Sequence, residues 1–286
     1  MIPSIPHSRL FRTTYASYVV LFFLYLAAPL IVVGTFAFND SLFPSLPWKG
    51  ATLDWFFGSE QPKLGLFQDD PILKSILVSF FIASCTTVLS LLLATCNAFL
   101  FEREQFPGKN LLYILMLMPL VIPGVILGVS ILVFSSSIAN WFEMNFGWEL
   151  DFLYPSTTLV ILGQFAFIST ICTLIVSARL RKFDLSLEEA ALNLGATKWG
   201  AIWTITLPFL KPALIGAGIV SFLMSFENFN TTLMLVGSDA PLTIAMFDRL
   251  REGATPVLNA ISLMLMVASS ILAIISLLMD KKSPTT

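Results

Sequence analysis

Residues able to do covalent chemistry are scarce in this chain, and their placement excludes most catalysis. The only histidine is His7, so a histidine-based zinc site or general base has nothing to draw on. Cys85, Cys96 and Cys172 all fall within apolar runs, at separations that suggest buried small hydrophobes rather than a disulfide or a metal site. The phosphate-binding pattern G-x-x-x-x-G-K-[ST] is missing: Gly195 and Gly200 have the right separation, but Ala201 stands where the lysine is needed. With no nucleophile–base pair either, no catalysis of its own is expected. Binding chemistry is what remains. Glu227 lies in a long apolar run, where an ionisable residue is costly and by default faces a cavity or a partner. On a continuous helix Asn230 and Thr231, three and four residues further on, share its flank. Phe226 and Phe229 add aromatic faces, so the group offers a cationic amine a carboxylate, neutral acceptors and cation–π contact. The alternative is a carboxylate near the outer boundary, paired with a loop residue such as Arg249 or Arg251 or in contact with a protein docked there. Gln164 is a second candidate for a solute path, although interhelical hydrogen bonding suits it as well.

The elements that must position these groups are membrane spans. Of the 286 residues, 56% are hydrophobic and only 12% charged, and the mean hydropathy is +0.85. A net charge of −2 with no basic face excludes a nucleic-acid partner. Crossing about 30 Å of hydrocarbon takes about 20 apolar residues. Six runs qualify, at about 15–38, 72–101, 111–134, 157–178, 213–236 and 257–279, and they predict an all-α integral membrane protein. The first is too long for a secretory h-region and is read as a retained span. The second exceeds one crossing and is expected to tilt or to project beyond the bilayer. In the third, "MPLVIPGVILG" combines Pro119 and Pro123 with Gly124 and Gly128, which predicts a kink or a locally unwound turn. Such a turn serves either as structure or as the lining of a pathway. Counted from Ala213 at about 1.5 Å per residue, Glu227 lies past the midplane of the fifth span.

Lysine and arginine set the orientation. The tails and the loops alternating with them hold eleven of the 16 basic residues, including Arg9, Arg12, Arg103, Lys109, Arg179, Arg181, Lys182 and Lys282, and the opposite loops hold five. Both termini and loop 179–211 are therefore expected in the cytoplasm, with 39–71, 135–156 and 237–256 outside. No linker divides the chain, so 1–286 is expected to form a single membrane domain. The longest outer segment, "FPSLPWKGATLDWFFGSEQPKLGLF", suggests a surface-packed stretch with a short interfacial helix.

Loop 179–211 contains "LEEAALNLGATKWGAIWTITLP", too polar for a span and patterned as a helical hairpin. Ser186 and Glu189 fit an S-x-x-E capping box, and Asp184 and Glu188 place negative charge at the helix start. Leu187, Ala190, Ala191 and Leu194 form one small apolar stripe. Gly195 suits a left-handed C-terminal turn. A second amphipathic segment from about Lys198 to Ile205 is expected to stop at Pro208. A first helix this short cannot be stable alone, and its flat Ala-rich face suits docking into a groove.

The order Glu189-Ala190-Ala191, three residues, Gly195, nine residues, Ile205, one residue, Leu207-Pro208 resembles the EAA signature of ABC-importer permease subunits. That resemblance implies six spans with a cytoplasmic coupling-helix hairpin, the type I ABC importer permease fold, in a bacterial inner membrane. It implies a second permease subunit, identical or paralogous, two cytoplasmic ATPase subunits that use ATP and Mg, and an extracytoplasmic solute-binding protein. It also assigns Glu189, Ala190, Ala191, Gly195, Ile205, Leu207 and Pro208 to coupling with the ATPase.

Further along, "SFENFNTTLMLVGSDAPLTIAMFDRLREGATPVLNAIS" is similar to spermidine/putrescine-type permeases at Ser225, Phe226 and Glu227, then Pro256, Asn259 and Ala260. That family commonly has a second acid where this chain has Asn228. Related permeases serving iron, opines, aminophosphonates or amino-acid derivatives remain alternatives to a polyamine. A self-sufficient secondary transporter is the rival class; it calls for several intramembrane charges or paired broken helices.

Overall fold

The computed structural model describes residues 8–253 and 255–281, with side chains to residue 274. His7 and Lys282 lie outside the described residues. Among those described, regular structure is helical, apart from one isolated bridge between Asn39 and Ala51. Two compact units emerge, one of residues 1–70 and 249–267 and the other of residues 71–248 and 268–286.

In the first unit, α1 (Arg9–Phe36) is apolar on every side and buries none of its residues. Such a helix is stable only against hydrocarbon or another protein chain. The segment after it folds on itself around Trp55, whose indole Nε1–H donates to the Asn39 carbonyl at 2.8 Å. The Asn39 side chain in turn donates to Ser45 O and accepts from Lys49 N, at 3.2 and 3.0 Å. Lys63 pairs with Asp40 and, at 3.2 Å, with Asp54. The expected short helix is present as α2 (Asp54–Phe57). Arg249 forks the nearly buried Asp69 at 2.5 and 2.8 Å.

The second unit is organised around α6 (Thr157–Leu180), more than half of which is buried. One face of α3 (Asp70–Arg103) buries Ser75, Ser79, Ala83, Thr86, Ser90, Ala94 and Ala98, a stripe of small residues at helical spacing. Small side chains let helix backbones approach closely where lipid supplies no hydrophobic drive. Ala94 and Ala98 join Ile168, Cys172 and Val176 of α6 and Leu210 and Ala217 of α9 (Leu207–Phe226) in one buried cluster. Cys172 is therefore a core residue, as its apolar setting suggested, whereas Cys85 is half-buried and Cys96 is exposed, because apolar surroundings in the chain do not decide which face of α3 is packed.

Among the described residues six helices are long and apolar enough to cross a membrane, but two of the expected spans are displaced. The run expected at 111–134 is split into α4 (Lys109–Val121) and α5 (Gly124–Phe146), with Ile122 and Pro123 extended between them. Pro119 and Pro123 each remove a backbone donor, and the hydrophobic run cannot reveal where the helix restarts. The neighbouring helix holds α4 just before the break: the Thr170 hydroxyl donates to Met116 O at 2.8 Å. The glycines after the break admit α10 (Asn230–Leu235); a Cβ on Gly128 would lie 3.0 Å from that of Met234. The run expected at 213–236 is likewise corrected. The membrane helix begins at Lys198, ends at Phe226, and resumes only at Asn230. Loop 237–256 contains an unexpected amphipathic helix, α11 (Leu242–Glu252).

Candidate functional site: the polar hairpin and the break at Glu227

The hairpin is present and departs from its expected form at both ends. Its first helix is α7 (Ser186–Asn193), but Ser186 does not cap it. Asp184 takes that place, its carboxylate accepting from the Ser186 backbone N–H at 3.0 Å. Bonding from the Ser186 side chain and then its backbone holds this carboxyl below the usual carboxylate range. The C-terminal turn is as expected. Gly195 has φ +91°, its N–H donates to Leu192 O, and Ala196 N–H donates to Ala191 O, the paired bonds of a Schellman turn.

Pro208 does not stop the second arm. That arm runs from α8 (Lys198–Ala201) through a π-turn (Ile202–Thr206) directly into α9. The wider turn, closed by Leu207 N–H to Ile202 O, leads the chain into α9 and carries it past Pro208, the second residue of that helix.

The seven signature residues divide by direction. Glu189, Ala190, Gly195 and Pro208 are exposed and Ala191 is half-buried, whereas Ile205 and Leu207 pack on the α3–α6–α9 cluster. Leu187, Leu194, Trp199 and Trp203 leave a broad apolar surface open, with Leu194 at 89% exposure. Sequence reasoning missed the role of the adjacent Glu188. Arg103, the last residue of α3, forks it with two 2.8 Å hydrogen bonds, and the Thr206 hydroxyl donates to the same carboxylate. Burial opposes ionisation of Glu188, but the Arg103 and Thr206 hydrogen bonds and the Arg103 charge outweigh it and hold the carboxyl low. No local pattern could have revealed a pair 85 residues apart.

The solute candidates are not gathered on one flank. Glu227 caps the end of α9, is exposed, and accepts from the Ser269 hydroxyl at 3.1 Å. Because the helix breaks after Phe226, the three- and four-residue spacing no longer aligns Asn230 and Thr231 with Glu227. Asn230 is exposed; Thr231 is buried, its hydroxyl 3.3 Å from Gly124 O. Phe226 stacks on Phe222, while Phe229 packs on Phe247 at 5.0 Å. Asn228 lies in the break before α10, its Oδ1 accepting from Thr232 N and Oγ1 at 3.2 and 2.9 Å. Gln164 is buried and donates to Thr232 Oγ1 at 2.9 Å, while Ser225 donates to its carbonyl oxygen. Arg249, one of the partners that the alternative reading offered Glu227, is engaged with Asp69.

Among the described residues, six membrane-length helices, two interrupted runs and a hairpin that enters one helix without a stop define a multi-pass membrane protein. Residues 87–282 match the family described as binding-protein-dependent transport system inner membrane component, and the chain belongs to that family. The putrescine transport system permease protein PotI of Escherichia coli K12 is 29% identical over 256 residues, 89% of this chain and 86% of that protein. The spermidine/putrescine transport system permease protein PotC of Haemophilus influenzae is 26% identical over 277 residues, 96% and 99% of the two chains. Among solved structures, a bacterial alginate ABC transporter in complex with alginate pentasaccharide-bound periplasmic protein shares the fold. Its TM-score is 0.71 at 17% identity, covering 96% of this chain and 93% of that one.

Proposed function

We propose that this permease imports a polyamine, or a related small cationic amine, using ATP hydrolysed by separate subunits. The observation that carries the coupling role is the hairpin: Leu187 and Leu194 lie exposed at its short first helix, and Trp199 and Trp203 lie exposed on a second arm that is continuous with a membrane helix. An apolar surface of this size on a short helix needs a covering partner. An ATPase docked there on the cytoplasmic side, with Mg and ATP bound in the ATPase alone, pushes the hairpin when it closes. Two such ATPases, a second permease subunit and an extracytoplasmic solute-binding protein complete the importer. Closure turns the spans outward to receive solute from the binding protein, and resetting opens the path inward.

The substrate class rests on similarity to PotI and PotC and on charge. In the orientation that the basic residues favour, the outer segments 39–71, 135–156 and 237–256 carry eleven acidic against four basic residues, with Lys74 a fifth at the start of the next span, a field that concentrates cations. Glu227 at the end of α9 offers a carboxylate on the way in.

The test is copurification of the ATPase with the chain, followed by uptake of labelled putrescine and spermidine into proteoliposomes carrying the cognate binding protein. ATP-dependent uptake of either amine is expected. Uptake without an ATPase removes the coupling role, and ATP-dependent complexes that ignore both amines remove the substrate class. Gly195→Ala is the local probe. It meets no neighbour within 4 Å, so it strains only the left-handed turn, and it should weaken solute-stimulated ATP hydrolysis.

A further inference from the structure

We infer that Arg103, Glu188 and Thr206 form the rigid link that carries hairpin movement into two membrane helices at once. This rests on the docking of an ATPase at the hairpin proposed above. α7 has covalent continuity only with the short turns at its two ends, 181–185 and 194–197, and a push on a helix held only by turns is absorbed by the turns. The Glu188 carboxylate removes that slack. It is gripped by both guanidinium nitrogens of Arg103 at 2.8 Å, from the end of α3, and by the Thr206 hydroxyl, from the last residue of the π-turn before α9. A bidentate fork fixes orientation as well as distance, which a single contact does not.

The pair is shielded from competing water. The Arg103 side chain is 19% and the Glu188 side chain 15% exposed. The Arg103 guanidinium also lies over the ring of Phe99, 4.8 Å from its centroid, and 5.6 Å from that of Phe183. Phe183 belongs to the same buried cluster as Ala94, Ala98, Leu210 and Ala217, so the link is seated on the α3–α6–α9 core. The two adjacent glutamates therefore have different duties: Glu189 faces outward toward a partner, and Glu188 faces inward as a positioning residue. Displacement of α7 moves the end of α3 and the foot of α9 together. The π-turn, an irregular segment able to change its hydrogen-bond pattern, is where the second of these movements enters the membrane helix.

The measurement is the ratio of solute imported to ATP hydrolysed by the complete importer in proteoliposomes. Glu188→Gln and Arg103→Gln should lower that ratio about tenfold, within the range of ordinary allosteric couplings, while the ATPase still copurifies. Arg103→Lys keeps the charge but loses the fork and should fall between them and the wild type. The double variant Arg103→Glu/Glu188→Arg should recover to within about threefold of the wild type, since exchanging the charges restores the pair. Thr206→Val, which alters no charge, should lower the ratio more mildly and covers the case in which a charge variant fails to fold. An unchanged ratio in Glu188→Gln and Thr206→Val overturns the inference. Loss of the ATPase from the Gln variants, without recovery in the exchanged pair, also overturns it, because the pair then serves only to shape the docking surface. Absence of an ATPase from the wild-type complex is a separate failure, that of docking itself.

Discussion

Gln164 and Thr232 are joined across two helices by a 2.9 Å hydrogen bond, and the same Gln164 amide accepts from Ser225 through its oxygen. One side chain of α6 therefore clasps both sides of the break at residues 227–229. An interrupted membrane helix leaves backbone and side-chain polar groups in a medium without water, and such an interruption persists where protein supplies the partners. All three groups are buried, which gives the clasp a stabilising role and Glu227 a fixed position beyond it.

Gln164→Leu keeps the bulk and removes both hydrogen bonds, stranding Ser225 and losing the donor to Thr232. Stability should drop by about 1–2 kcal/mol, less than for the same loss in a soluble core because polar groups inside membranes find alternative partners. Thermal unfolding in detergent reports the drop. A normal melting temperature with transport lowered per assembled complex places Gln164 on the solute path and denies it the clasp.

Glu227→Gln isolates charge from size at the end of α9. A carboxylate about 4 Å from an ammonium at an effective dielectric of about 20 attracts it by about 4 kcal/mol before desolvation is subtracted. A net loss of about 1–2 kcal/mol, or about 5- to 30-fold in transport per assembled complex, is expected. Glu227→Asp should fall between the two, and solute binding to the isolated binding protein should not change. Wild-type transport in the Gln variant would leave Glu227 with only its bond to Ser269.

Acid should undo the grip on Glu188. Its carboxyl is held below its ordinary value of 4.5 in the folded protein, so the fold binds this proton less readily than the unfolded chain does. The stabilisation is full above about pH 4.5 and disappears as the pH falls through the lower folded value. Wild type should therefore outlast Glu188→Gln at pH 7 by about 1–2 kcal/mol, with the two melting temperatures converging toward pH 4 and below. A difference that stays constant with pH would contradict the charge-assisted fork.

Orientation is open to single-cysteine labelling in a background lacking Cys85, Cys96 and Cys172. Cysteines at the exposed positions Ser186 and Lys198 should react with an impermeant reagent only from the cytoplasm, and those at Ser59 and Ser238 only from outside. Labelling of Ser59→Cys from the cytoplasmic side inverts the topology drawn from the basic residues.

What the sequence determined alone is what depends on neighbours in the chain. Hydropathy summed over a window marked six apolar runs, and four of them coincide with α1, α3, α6 and the helix beginning at Pro256. Gly195 was legible as a left-handed turn because the steric rule acts on one residue, and its φ of +91° obeys it. The outward stripe of α7 was legible because its period is that of a helix. Tertiary structure decided where the apolar runs are interrupted. Pro119 and Pro123 announced a break, but the position at which α5 resumes depends on close packing against α10 through Gly124 and Gly128. It also decided which of two neighbouring glutamates faces inward, since Arg103 and Thr206 lie 85 and 18 residues away. Gln164 reaches partners 61 and 68 residues distant in the same way. Pairings at such separations are set by how helices pack, and no local propensity encodes them.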